Sequence, residues 1–426
     1  QRGWRARHTL DRPATPSDLG DHTVSYPITA GPAGPVPPRR SARRPWPRWA
    51  RWCVAVGTTL MTLSGVALGG SAYLLHAATG QVTRQNLLGA AAAPSEHHRT
   101  ITGAKNILLV GVDTRPNQDP SQLTRADSII LLHIPADHTQ AYLVSLPRDS
   151  LVTIPAYDNG ATPFRGGQNK INAAFAFGSR GLTGSAALSH GFELLALTVR
   201  DLTGITPDAG GIIDFQGFKK IVQVLGHVCM YIDETTTSIH VGHDAAGKPA
   251  APYAINPDGT VNHRIPGVTP NVYTKGQHCL DPAQALDFVR QRDLLANHDF
   301  DYGRQRHQQQ FVKAVLTQVV SQGLDSPTKL PGLLSAVGRT MTVDDGGIPL
   351  ADWAFAMRGV HPDAITTLKT NGGTFNSRTV PGVGSAEILS PTSVQLLHAV
   401  RDDTVAAFVA AHPTWVADSG PTTPDH

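Results

Sequence analysis

Three short apolar runs, 106–112, 128–134 and 141–146, follow one another with polar breaks between them. Runs of this length, bounded by turn residues, predict buried strands of an α/β core. Pro135-Ala136-Asp137-His138 predicts a hairpin turn between the second and third. Downstream the period changes. Residues 172–177 predict a short helix, and 185–202 a longer one with Leu188, Phe192, Leu195 and Val199 on one face. In 214–225, Phe215, Phe218, Ile221, Val222 and Leu225 point inward, and Gly226 closes the helix. A strand is predicted at 228–232, and the turn-rich stretch 234–275 reads as an insert or hairpin region. Asp281-Pro282 supplies a capping aspartate and a proline at the first helical position, so a helix runs through Leu286 to about Val289. After residue 320, Ser326-Pro327, Ile348-Pro349 and Ser390-Pro391 predict helix starts, and 321–415 reads as a helical extension of the same domain. Residues 1–45 and 416–426 have no apolar periodicity and are expected to be disordered.

The longest apolar run, 53–75, contains 23 residues without a charge. That length spans the ~30 Å hydrocarbon core as a helix, and no small-x-small cleavage site ends it. Arg39, Arg40, Arg43, Arg44, Arg48 and Arg51 precede it, with Trp46, Trp49 and Trp52 placed for the interface. The expectation is a single-pass cell-membrane protein with a cytoplasmic N-terminus. A linker at 77–100 leads to an extracytoplasmic domain beginning near Ile101.

Charge sharpens this division. The net charge of +3 hides ten arginines against three aspartates in residues 1–52, leaving 26 basic and 30 acidic residues beyond. The folded part therefore carries no basic surface that would suggest a nucleic-acid partner. Cys229 and Cys279, the two exported cysteines, are either a disulfide closing about 50 residues or two buried thiols, and an oxidising compartment favours the disulfide. No Cys-x-x-Cys or His-rich spacing suggests zinc, despite 19 histidines.

The chemistry lies in an ordered set: Gly111-Val112-Asp113-Thr114-Arg115, Arg125-Ala126-Asp127-Ser128, Pro147-Arg148-Asp149, and Arg290-Gln291-Arg292 followed by Asp301-Tyr302-Gly303-Arg304. Carboxylates hold a hard cation, and guanidiniums clamp phosphate oxygens. Together they suggest a metal-bound pyrophosphate. Arg290 and Arg292 would face opposite ways on a helix but the same way on an extended chain, so that helix must end near Val289 to bring both to one site. Arg304 and Gln308 share a helix face, and Phe311, Val312 and Val315 carry that helix into the core.

These motifs, with Asn169-Lys170-Ile171-Asn172 and Arg304-Gln305-Arg306-His307-Gln308-Gln309, resemble the LytR-CpsA-Psr family over about residues 101–320. The resemblance implies an α/β/α sandwich around a central mixed sheet, with a deep apolar pocket for a polyprenyl tail. It implies transfer of a glycopolymer from a polyprenyl pyrophosphate carrier at the membrane lipid to a peptidoglycan acceptor. Asp113 and Asp127 then match the acidic residues associated with Mg²⁺ (or Mn²⁺). Arg125, Arg148, Lys170, Arg290, Arg292, Arg304 and Gln308 match those around the phosphates, and Asp301 matches the acidic residue before Tyr-Gly-Arg. Asp113, Asp127, Arg125, Arg148 and Asp301 form the implied catalytic set. The proton of the acceptor hydroxyl is left between Asp113 and Asp301. One departure is His307, where the family often has arginine. Two other functions fit the same residues: hydrolysis of the pyrophosphate, or a non-catalytic envelope regulator that binds polyprenyl phosphates.

Overall fold

In the computed structural model, which describes residues 83–92, 101–113, 124–256, 259–323 and 341–417, a mixed sheet occupies the centre. Its first strands are β1 (Thr83–Arg84), β2 (Lys105–Val112), β3 (Ala126–Ile134) and β4 (Ala141–Ser145). A separate antiparallel pair, β5 (Leu151–Ile154) and β6 (Gly167–Lys170), precedes helices α1 (Asn172–Ser179) and α2 (Gly184–Thr203). Then come β7 (Ala209–Ile213), α3 (Phe215–Leu225), β8 (Val228–Ile232) and β9 (Thr236–His243). The turn-rich stretch forms β10 (Pro249–Ala250), β11 (Tyr253–Ile255), β12 (Val261–Arg264) and β13 (Thr269–Tyr273), and β14 (Gly276–Leu280) returns beside β8. Helices α4 (Pro282–Phe288) and α5 (Phe300–Gly323) follow, then β15 (Thr342–Asp344), α6 (Leu350–Met357) and β16 (Ile365–Leu368). A hairpin, β17 (Ser377–Val380) and β18 (Gly384–Glu387), leads to α7 (Pro391–Arg401) and α8 (Val405–Ala411).

Across the central sheet the strands run β1-β15-β7-β2-β3-β4-β16. The predicted hairpin is antiparallel β3/β4, whereas β2/β7 and β4/β16 are parallel. Successive side chains of a strand face opposite ways, and here both faces are covered. Leu108, Val110, Ile129, Leu131 and Val144 join Phe175, Phe192, Val199 and Leu396 in one core. Ile130, Leu132, Ile134 and Leu143 join Ile348, Trp353 and Val360 in another. Helices therefore cover the sheet on both sides. Glycine permits a close contact in the first layer: a Cβ on Gly191 of α2 would stand 2.8 Å from the Phe175 ring of α1.

The structure departs from the sequence reading in three places. First, 321–415 is more than helical, because β15 and β16 enter the central sheet and β17/β18 form a hairpin. Strands of three or four residues are too short to leave a period-two signature. Second, ordered chain begins before Ile101. Leu87 and Leu88, inside the expected linker, are buried in the core, and the Asp344 carboxylate accepts both their backbone N–H groups at 2.8 and 2.9 Å. Third, Asp127 lies within β3 rather than ahead of it. The expected membrane span at 53–75, the basic tail 1–45 and Thr114-Arg115 lie outside the described residues, as does 418–426. No helix among the described residues is long and apolar enough to cross a membrane.

Cys229 of β8 and Cys279 of β14 are directly opposed and disulfide-bonded across 50 residues of chain. Loop closure of that length restricts the unfolded chain by about 4 kcal/mol at most. The sulfurs sit on the exposed side of this two-stranded sheet, while Val228, Met230 and Leu280 face the core with Phe288 and Phe311. Removing the bond therefore leaves packing intact. Cys229→Ser with Cys279→Ser is expected to lower unfolding stability by about 2–4 kcal/mol without changing the circular dichroism spectrum. An unchanged denaturation midpoint would contradict this.

Candidate functional site

The site begins where β2 and β3 end together. Gly111 pairs with Ser128, but Val112 pairs with Ala126. Asp127 is thus the extra residue of a β-bulge, and a bulge re-aims the side chain it carries. Asp113 follows β2 directly on the neighbouring strand. Arg148, in the loop after β4, donates from Nη1 to Asp127 Oδ1 at 2.6 Å. Its Nε lies 3.5 Å from Asp301 Oδ1 and 3.9 Å from Asp149 Oδ2. Lys170, at the end of β6, meets Asp149 Oδ1 at 3.0 Å.

Asp301 enters from the first turn of α5, where a carboxylate suits the helix dipole. Arg304, one turn on, places Nη2 2.6 Å from Asp301 Oδ1. Burial pushes the Asp301 carboxyl up, but Arg304 and Arg148 outweigh it and hold it below the usual carboxylate range. Burial also lowers the Arg304 pKa, against the pull of Asp301. For Arg148 the carboxylates Asp301, Asp127 and Asp149 overcome burial and raise it. Gly303 belongs to this motif for a steric reason: a Cβ there would collide with Asp299 and Leu295.

Helix α4 ends at Phe288 with Val289 as its C-cap, the geometry that Arg290 and Arg292 require. Gln291 between them is fully buried. Its side-chain amide donates to the Asp287 carboxylate at 2.8 Å, and its oxygen accepts from the Ile239 N–H at 3.0 Å. Tyr273 and Ser238 also donate to Asp287, at 2.8 and 3.0 Å. Burial raises the Asp287 pKa despite these donors. With Gln291 turned inward, its neighbours turn out. Arg292 acts on Asp301 and Arg304 by its charge, while Arg290 lies over the Phe215 ring at 4.8 Å.

The structure thus gathers Asp127, Arg148, Asp301 and Arg304, with Lys170 joined through Asp149. Gln308 is half-buried one turn beyond Arg304. Arg125 is exposed and makes no ion pair among the described residues. Two buried guanidinium nitrogens, Arg148 Nε and Arg304 Nε, have no hydrogen-bond acceptor. Such donors are costly unless a ligand oxygen meets them, so they suit an anion.

Sequence reasoning missed the residues that hold these groups in place. Tyr302 donates to the buried Glu387 carboxylate at 3.2 Å, and Asn376 N–H donates to it at 2.9 Å. Arg306 is clasped by Asp233, Glu234 and Asp299. The Asp-Glu pair closing the apolar run at 228–232 was a visible signal, of the same kind as Gly-Val-Asp. A small cleft beside α5, with room for about one water, is lined by Ser145, Tyr302, Gln305, Arg306, Gln309 and Thr370.

The LytR_cpsA_psr family model matches residues 73–396. The cell wall biosynthesis protein LcpA of Corynebacterium glutamicum is 28% identical over 57% of this chain and 45% of its own length. The polyisoprenyl-teichoic acid–peptidoglycan teichoic acid transferase TagU of Oceanobacillus iheyensis is 26% identical over 71% of this chain and 78% of its own. The chain therefore spans under half of the first relative and over three quarters of the second. The crystal structure of protein gbs0355 from Streptococcus agalactiae superposes with a TM-score of 0.51 at 24% identity, covering 71% of this chain and 88% of that one, which supports a common fold.

Asp301→Asn tests the electrostatics. Because the folded pKa is depressed, the carboxylate's contribution is present above the unfolded value of ~3.9 and is lost as pH falls through the folded value. The substitution is expected to cost about 1–3 kcal/mol at pH 7, after discounting for partial exposure, and progressively less as pH falls below about 4. Denaturant titrations at pH 7 and pH 3 measure both. An equal loss at the two values would exclude an ionic role.

Proposed function

The chain belongs to the LytR-CpsA-Psr family, and from that membership we propose that it transfers a glycopolymer from a polyprenyl pyrophosphate carrier to peptidoglycan in cell-wall assembly. The carrying observation is the set of buried, acceptor-less nitrogens on Arg148 and Arg304 beside Asp127 and Asp301. The transferase name of the TagU relative supports the same reaction class. The uncharged run 53–75 and the arginines before it support an anchored enzyme with its site outside the membrane.

The donor set at the strand ends, two carboxylates without sulfur or imidazole, fits a hard cation. Asp113 and Asp127 would hold Mg²⁺ (or Mn²⁺), which when bound draws charge from the phosphate oxygens. Arg148 and Arg304 offer their unsatisfied N–H groups to the pyrophosphate, with Arg292, Lys170 and Gln308 around them. These donors are fixed before substrate arrives, so little reorganisation is needed as charge develops on the leaving phosphate. The acceptor hydroxyl oxygen bonds to the sugar-linked phosphorus. The bond from that phosphorus to the bridging oxygen breaks, polyprenyl phosphate leaves, and the hydroxyl proton is released. Asp301, held acidic by two guanidiniums, is a weak base. Its role is to align Arg148 and Arg304, which leaves Asp113, the other carboxylate left open by the sequence, to take the proton.

The test uses the full chain in detergent with Mg²⁺, a lipid-linked glycopolymer and peptidoglycan oligomers. Covalent product is expected, reduced at least about 100-fold in Asp127→Ala and in Arg148→Ala. Phosphate release without product would mean hydrolysis. Binding with neither outcome would leave only a regulator.

A further inference from the structure

A second cluster lies deeper on α5, apart from the phosphate-facing arginines. Asp233 and Glu234 follow β8, Asp299 precedes α5, and all three carboxylates grip Arg306. One guanidinium against three carboxylates leaves two negative charges uncompensated in a mostly buried place. Beside them stands His307, fully buried, with neither ring nitrogen hydrogen-bonded. Its ring stacks on Phe288 with centroids 4.2 Å apart, which fixes the imidazole plane. Nε2 is 3.5 Å from Glu234 Oε1 and 3.9 Å from Asp233 Oδ1, and Asp233 Oδ1 has no donor of its own.

We propose that Asp233, Glu234 and His307 form a structural Zn²⁺ site, distinct from the Asp113/Asp127 pair. One ligand atom from each residue lies within 4.8 Å of the others. Ligands ~2.0–2.2 Å from a tetrahedral ion stand roughly 3.3–3.6 Å apart, so a small contraction seats the metal. The imidazole selects Zn²⁺ over the oxygen-seeking Mg²⁺ and Ca²⁺. The ion supplies the two missing positive charges, and Asp299 retains Arg306. Its consequence is mechanical: it ties the end of β8 to α5 one turn from Arg304.

The test uses the untagged full chain in detergent, stripped with a chelator and reloaded. One zinc per chain is expected by elemental mass spectrometry, undisturbed by excess Mg²⁺. His307→Gln and Glu234→Gln should each weaken binding at least about ten-fold, while Asp113→Asn with Asp127→Asn keeps it. Should the buried variants misfold, X-ray absorption of the zinc-loaded native chain still decides: one imidazole nitrogen with oxygen ligands is expected. No stoichiometric zinc, no imidazole or several imidazoles in the spectrum, zinc retained by folded His307→Gln, or zinc lost with Asp113→Asn and Asp127→Asn would each overturn the proposal.

Discussion

A carboxylate held between two guanidiniums, Asp301 between Arg304 and Arg148, is the constraint on which the site depends. Each of these charges loses solvation on entering the protein, and mutual attraction offsets that loss only when the geometry is tight. Arg148 comes from a loop after β4 and Arg304 from α5, so the pair is met only when sheet and helix dock. Asp127 completes the alternation of charge from the β3 bulge. The arrangement holds the arginines in place while leaving some of their N–H groups without acceptors.

The polar start of α5 follows from the same constraint. Arg304, Gln305, His307, Gln309 and Gln310 are all buried, where a helix ordinarily places apolar residues. Partners compensate part of the cost. Gln309 donates to the Leu368 carbonyl at 2.9 Å, and Tyr302 reaches Glu387. Farther along, Phe311 and Ala314 return to apolar packing against β8 and α3. The helix is thus an anchor at one end and a charged scaffold at the other.

Much of this was legible in the chain. The runs at 106–112, 128–134 and 141–146 became adjacent strands because each is apolar on both faces, as a covered sheet requires. Asp281 and Pro282 announced α4, and the two-residue spacing of Arg290 and Arg292 required its end near Val289, where it occurs. The strands β15 and β16 were illegible, since three or four residues carry too little period. Leu87 and Leu88 were read as linker because two leucines in a polar stretch do not reveal that Asp344, far along the chain, receives their amides.

The sequence by itself determined three adjacent strands of the central sheet, the main helices, the family and the order of the acidic and basic motifs, because periodicity, capping and motif spacing are local properties. Tertiary structure alone decided which charges meet. It set Asp301 between Arg148 and Arg304, left Arg125 exposed, turned Gln291 inward onto Asp287, and brought His307 to Asp233 and Glu234 across more than seventy residues. Pairing energies depend on distance and burial in space, and neither is written in the linear spacing of the residues.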